Sequence, residues 1–115
     1  MKFRIEIEED VPIVIFDGKY TIGTPTTALV TKIGETGVFG EEAGIIFDFL
    51  ALDDEDCHDS ILGLLLALWR EAEMGEMAES KIRFRIKRNG HLAELVKSCK
   101  LDRVIQVEWV DANTP

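Results

Sequence analysis

The sequence predicts a single α/β domain in which helices pack against a mixed β-sheet, and three stretches carry that prediction. Residues 45–52 are almost wholly apolar, with Ile45, Ile46, Phe47, Phe49 and Leu50 reading as an interior strand. Residues 59–74 repeat Ile61, Leu64, Leu65, Leu68 and Ala72 at helical spacing, with Cys57 on the same stripe. Residues 81–88 alternate without a fault, placing Ile82, Phe84 and Ile86 inward and Arg83, Arg85 and Lys87 outward.

The remaining elements fall into order around these three. Phe3, Ile5 and Ile7 alternate with charge, and Val11 to Phe16 forms a second strand closed by Asp17-Gly18, a dipeptide that turns a chain sharply. Thr24 then reads as a helix cap with Pro25 at the first helical position, where its missing N–H costs nothing. Ala28, Leu29 and Ile33 give that helix an apolar face, although Val30, Thr31 and Ile33 also suit a strand. Gly34, Gly37, Gly40 and Gly44 make a loop, and no Gly-Lys-Ser or Gly-Lys-Thr follows to suggest phosphate binding. An acidic bridge, Asp53 to Asp56, leads to the long helix, whose N–H groups need a side-chain oxygen from Asp59 or Ser60. Leu62, Leu66 and Trp69 widen its stripe past a normal core-facing arc, so part should pack on a neighbouring helix and part on a partner. Gly63 and Ala67 share a face that allows close approach of another backbone, and Gly75 loosens the helix end. Asn89-Gly90 opens a short helix through Leu92, Leu95, Val96 and Cys99, with Lys97 and Lys100 near the negative end of its dipole. Residues 103–110 close the chain as a strand with Ile105, Val107 and Trp109 on one side. The order is β-β-α-β-α-β-α-β.

Charge narrows the function classes. With 115 residues, 46% hydrophobic and 30% charged, the chain can bury one core, and residues 1–115 are read as one domain. A formal charge of −9 argues against nucleic acid or an anionic membrane as main partner, since both need cationic patches; a basic protein surface is the better complement. The charged alternation at residues 2–8 is not a signal peptide, and the apolar run 64–69 falls far short of the ~20 residues that span a bilayer. Cys57 and Cys99 make no disulfide framework and read as buried reduced thiols, so a cytoplasmic location is expected. Asp53, Asp54, Glu55, Asp56 and Asp59 with His58 lack the Gly-centred spacing of a calcium loop and read as a solvated helix entrance. No nucleophile is placed for His58, and no catalytic residue, cofactor or metal site is assigned. Arg83, Arg85 and Lys87 are expected to pair across strands with Glu6, Glu8 or Glu108, and Met74 and Met77 to pack at the helix end.

Taken in order, these residues resemble the STAS-domain family, which includes the anti-sigma-factor antagonists of bacteria. The resemblance runs from about Phe3 to Val110. It rests on Ile13-Val14-Ile15-Phe16-Asp17-Gly18, on Thr24-Pro25 at the first helix, and on Gly44-Ile45-Ile46-Phe47-Asp48-Phe49 before the switch loop. Its most specific parts are Asp59-Ser60 leading into residues 62–69, and Asn89-Gly90-His91-Leu92 followed by Leu101-Asp102-Arg103-Val104. It implies a STAS-like mixed sheet and a small protein-binding switch without enzymatic activity, phosphorylated by a partner kinase that is also an anti-sigma factor. Carried onto this sequence, Ser60 is the acceptor if Asp-Ser is held in register. If Leu62-Gly63 is held instead, Asp59 occupies the acceptor position and keeps it permanently negative. The bridge 53–58 is longer and more acidic than the family's approach to this helix.

The expected partner surface comprises Asp54, Glu55, Asp56, His58, Asp59, Leu62, Leu66 and Trp69. A phosphate on Ser60 would add charge beside existing carboxylates and repel an acidic surface. The other reading is an unphosphorylated accessory or scaffold subunit of a transporter or signalling complex. Self-association as a homodimer is compatible with either.

Overall fold

The computed structural model describes residues 1–111, apart from the Asp56 side chain. Lys2–Glu8 (β1) and Val11–Tyr20 (β2) form an antiparallel hairpin. Its turn is made by Glu9 and Asp10, both left-handed at φ 53° and 68°, the geometry that matches strand twist in a two-residue turn. The sharp turn expected at Asp17-Gly18 does not occur. Both residues stay in β2 because they pair with Ala51 and Leu52 of the next strand, and that pairing overrides the local turn preference.

The chain continues as Thr26–Glu35 (α1), Ile45–Cys57 (β3), Ile61–Met74 (α2), Ile82–Lys87 (β4), His91–Ser98 (α3) and Gln106–Val110 (β5). The element order is the expected one. The sheet runs β1-β2-β3-β4-β5, with β1 antiparallel and the others mutually parallel. The helix reading of α1 holds, since Leu29 and Ile33 are buried four residues apart, but it begins at Thr26 behind Pro25. Thr24 instead accepts the Thr21 N–H at 2.9 Å. β5 starts three residues later than expected because Leu101–Arg103 forms a 3-10 turn that buries Leu101.

One core accounts for the stability of this arrangement. Phe16 stacks on Phe49 with ring centroids 4.6 Å apart, and Phe47 lies 5.0 Å from Phe84. Over them pack Leu29 and Ile33 of α1, Ile61, Leu64, Leu65 and Leu68 of α2, and Leu92 and Val96 of α3. All three helices therefore cover the same face of the sheet. Each fully buried Leu or Ile of α2 contributes about 1.5–3 kcal/mol relative to exposure, so this stripe dominates the helix's stability.

The opposite face carries no helix. Ile13, Ile15 and Ile46 form a small second cluster there, among charged neighbours. Arg85 links that lattice, lying 3.3 Å from Glu108, 3.5 Å from Glu8 and 3.8 Å from Asp48. Burial alone would lower the Arg85 pKa, but the hydrogen bond and charge of Glu108, joined by Glu8, raise it above its ordinary value. The expected cross-strand pairing is thus found at Arg85, while Glu6 pairs with Arg4 of its own strand at 3.5 Å.

Two smaller expectations need correction. Cys57 is buried but Cys99 is exposed. Met77 packs into the core whereas Met74 projects from the end of α2 into solvent. Gly63 faces outward with no atom near enough to touch an added Cβ, so no second backbone approaches it within the chain. Among the described residues no helix is long and apolar enough to cross a membrane.

Candidate functional site

The site lies where β2, β3 and β4 deliver their C-terminal ends, the edge of an open parallel sheet at which loops converge. Tyr20 ends β2, Cys57 ends β3 and residues 88–90 leave β4 for α3. The His58 N–H donates to the Tyr20 carbonyl at 2.7 Å, which ties the first two ends together.

The acidic bridge is not the loop that its composition suggests. It belongs to β3, as a bulge: Gly18 pairs with Leu52 and Tyr20 with Cys57, so the intervening residues on β3 outnumber those on β2. Surplus residues in one strand must arch out of the ladder, which re-aims their side chains. The arch sends the Asp54 carboxylate to the start of α3. Its Oδ2 accepts the His91 N–H and its Oδ1 the Leu92 N–H, both at 3.0 Å. These are two of the N–H groups that a helix start leaves without partners, and α3 has no side-chain cap from its own N-cap residue Gly90. A Cβ at Gly90 would overlap this carboxylate, coming within 2.8 Å of Asp54 Cγ, so glycine keeps the approach open. Asp54 is therefore a structural cap and not the freely solvated charge that was expected. Asp53 is half-buried and Glu55 exposed, while the Asp56 side chain lies outside the described residues.

Ser60 is exposed at the N-cap position of α2, yet it makes no side-chain cap bond, contrary to expectation. Its hydroxyl lies 2.8 Å from His58 Nδ1, and its backbone N–H donates to the same nitrogen at 3.1 Å. An N–H can only donate, so Nδ1 is the acceptor, and the hydroxyl proton points at it too. The side chain is thus held by an imidazole base rather than by the helix. Asp59 Oδ1 faces His91 Nε2 at 3.1 Å, so both histidines of the chain flank this dipeptide.

Beside Ser60 the surface forms an open recess lined by Tyr20, Thr21, Glu55, Cys57, His58 and Asp59, with Ile22 on its rim. Ile22 is 82% exposed, the most exposed of the large apolar side chains among the described residues. Along α2, Leu66 is 42% exposed, whereas Leu62 and Trp69 are half-buried against the core. The structure so brings Glu55, His58, Asp59 and Leu66 to an accessible surface and commits Asp54 elsewhere. Ile22 escaped the sequence reading, and His91 entered it only within Asn89-Gly90-His91-Leu92, without a role at the site. An isoleucine inside the polar stretch Thr21-Ile22-Gly23-Thr24 was the available signal for the first.

Known structures share this architecture. An anti-sigma factor antagonist from Mycobacterium paratuberculosis superposes with a TM-score of 0.70 at 15% identity, over 92% of this chain and 83% of that one. The fold is that of a STAS domain. The anti-sigma factor antagonist SpoIIAA in its unphosphorylated form is similar to it at a TM-score of 0.62 and 16% identity, over 93% of this chain and 88% of that one. No protein-family model and no curated protein sequence matches the chain. What is shared with these STAS structures is the fold.

Proposed function

We propose that this chain is a regulatory protein-binding module of the anti-sigma-factor-antagonist type, which engages a partner kinase or anti-sigma factor through residues 53–70 and is phosphorylated on Ser60. It acts by binding and not by catalysis, in the cytoplasm. One observation carries the reading: the Ser60 hydroxyl is exposed, does no capping work, and donates to His58 Nδ1. A hydroxyl whose proton already faces a base is poised to attack a phosphoryl group, and a helix N-terminus next to it favours the anion that results. The recess with Ile22, Glu55 and His58, together with Leu66, offers a partner an apolar anchor beside acidic groups.

Incubation with candidate serine kinases of the anti-sigma type and ATP, read by intact mass, tests this reading. One phosphate should add to the wild-type chain and none to Ser60→Ala. Labelling that survives the substitution places the acceptor elsewhere. A second reading rests on Asp59, whose carboxylate is held by His91 beside the same helix start. In that reading Asp59 supplies a permanent charge, and the chain serves as an unphosphorylated accessory subunit that binds its partner regardless of kinase.

A further inference from the structure

We propose that the chain forms a two-fold symmetric homodimer by antiparallel pairing of β1 with β1 of a second copy, which joins two five-stranded sheets into one. β1 is an outer strand of the sheet, hydrogen-bonded to β2 on one side. On its other side alternate residues present unpaired backbone N–H and C=O groups, a template for another strand.

The side chains of β1 match themselves when the strand is reversed. A two-fold axis at Ile5 places Lys2 opposite Glu8 of the second copy, Phe3 opposite Ile7, and Arg4 opposite Glu6. Every charged pair is then of opposite sign and every remaining pair is apolar. The two sets also lie on the correct faces. Arg4 and Glu6 stand opposite Ile15 and Ile13 on the helix-free face, whereas Phe3 and Ile5 pack against the main core. Ile7 is 67% exposed at the end of that apolar row, and the pairing gives it Phe3 of the second copy as cover.

Charge order distinguishes this edge from the other. The chain carries −9 overall, which disfavours self-association in general, but residues 2–8 hold two cations and two anions and so are locally neutral. In β5 an axis at Glu108 would set Glu108 against its own copy, a like-charge contact at the centre. The neighbours that β1 charges now use do not obstruct the dimer. Arg4 and Glu6 form an exposed pair at 3.5 Å within β1, and Glu8, 60% exposed, reaches Arg85 at 3.5 Å across the helix-free face, so the Lys2–Glu8 contact exchanges one exposed ion pair for another.

Sedimentation of the full chain over a range of concentrations tests the dimer, with charge exchange as the decisive arm. The wild-type chain should dimerise. Arg4→Glu alone and Glu6→Arg alone should each weaken the dimer by about tenfold or more, because both symmetry-related contacts become like-charge. Equimolar mixing of the two variants should restore a heterodimer, in which residue 4 of one again opposes an unlike residue 6. Amide hydrogen exchange on the wild-type chain supplies an arm that does not depend on variants folding: protection of β1 should rise with concentration while that of β5 stays constant. A chain that remains monomeric, an Arg4→Glu chain that dimerises as well as wild type, a mixture that stays monomeric, or β1 protection independent of concentration would each overturn the proposal. Open-ended assemblies would do so as well, since they indicate pairing of β1 with β5.

Discussion

Removing the Asp54 carboxylate should release the start of α3, and the geometry gives the size of the effect. Two charge-assisted bonds at 3.0 Å end on the His91 and Leu92 N–H groups. Loss of a helix cap costs about 0.5–2 kcal/mol and the favourable charge–dipole contact about 0.3–1 kcal/mol. Because Asp54 is only half-buried, the two together come to ~2 kcal/mol for Asp54→Ala, a fall in Tm of about 6–12 °C for a domain of this size. Asp54→Asn keeps one acceptor oxygen and should lose about half as much. Gly90→Ala attacks the same contact from the other side, since the new methyl group displaces the carboxylate. Its cost in the wild-type chain should also be ~2 kcal/mol, but once Asp54 is alanine the space is vacant and only ~0.5 kcal/mol remains. The double variant should therefore lose ~1.5 kcal/mol less than the sum of the single losses in a urea-unfolding cycle. Additivity within ~0.5 kcal/mol would show that the Asp54–α3 contact does not stabilise the domain, and the argument from the bulge would fail.

Gly44 sits at φ 115°, where an added Cβ would meet the Lys81 carbonyl at 2.8 Å, so Gly44→Ala should cost about 2–4 kcal/mol in urea unfolding. A loss under ~1 kcal/mol would refute the steric reasoning. His58→Gln should slow phosphorylation of Ser60 by roughly 10²-fold without abolishing it, as measured by initial rates of mass increase, because it removes the base that the hydroxyl faces. An unchanged rate would mean that the contact in the free chain is not used in the reaction. Glu55→Lys should leave Tm unchanged and slow association with a basic partner at low salt, the difference fading as salt rises; equal association rates would remove Glu55 from the interface.

Periodicity made most of this fold legible. The alternation over residues 81–88 became β4 with its apolar residues buried and its cations half-buried, and the stripe of α2 was buried residue for residue. What stayed hidden depended on partners distant in sequence. Four successive acidic residues have poor strand propensity, and only the pairing of Leu52 and Cys57 with β2 on either side of them, together with the reach of Asp54 to a helix 37 residues away, makes them part of β3. The hairpin turn used Glu9-Asp10 and left the better local turn former, Asp17-Gly18, inside a strand. At the site, Ser60 was found from its position ahead of an apolar helix, but its partner was assigned wrongly. The expectation has the Ser60 oxygen accepting from the helix N–H groups, whereas its hydroxyl donates to His58 Nδ1, two residues back.

With helices confined to one side of the sheet, waterproofing of the other side falls to side chains that composition would count as solvent-loving. Ile15 lies opposite Arg4, Ile13 opposite Glu6 and Ile46 opposite Arg83, and the three isoleucines are 9%, 3% and 3% exposed with no helix above them. Long charged chains can do this because their aliphatic stems lie flat on apolar ground while their heads stay hydrated. A charge-to-alanine scan along this face would therefore strip a roof rather than trim a surface, and positions 4, 6 and 83 would lose stability on shortening while tolerating a change of sign.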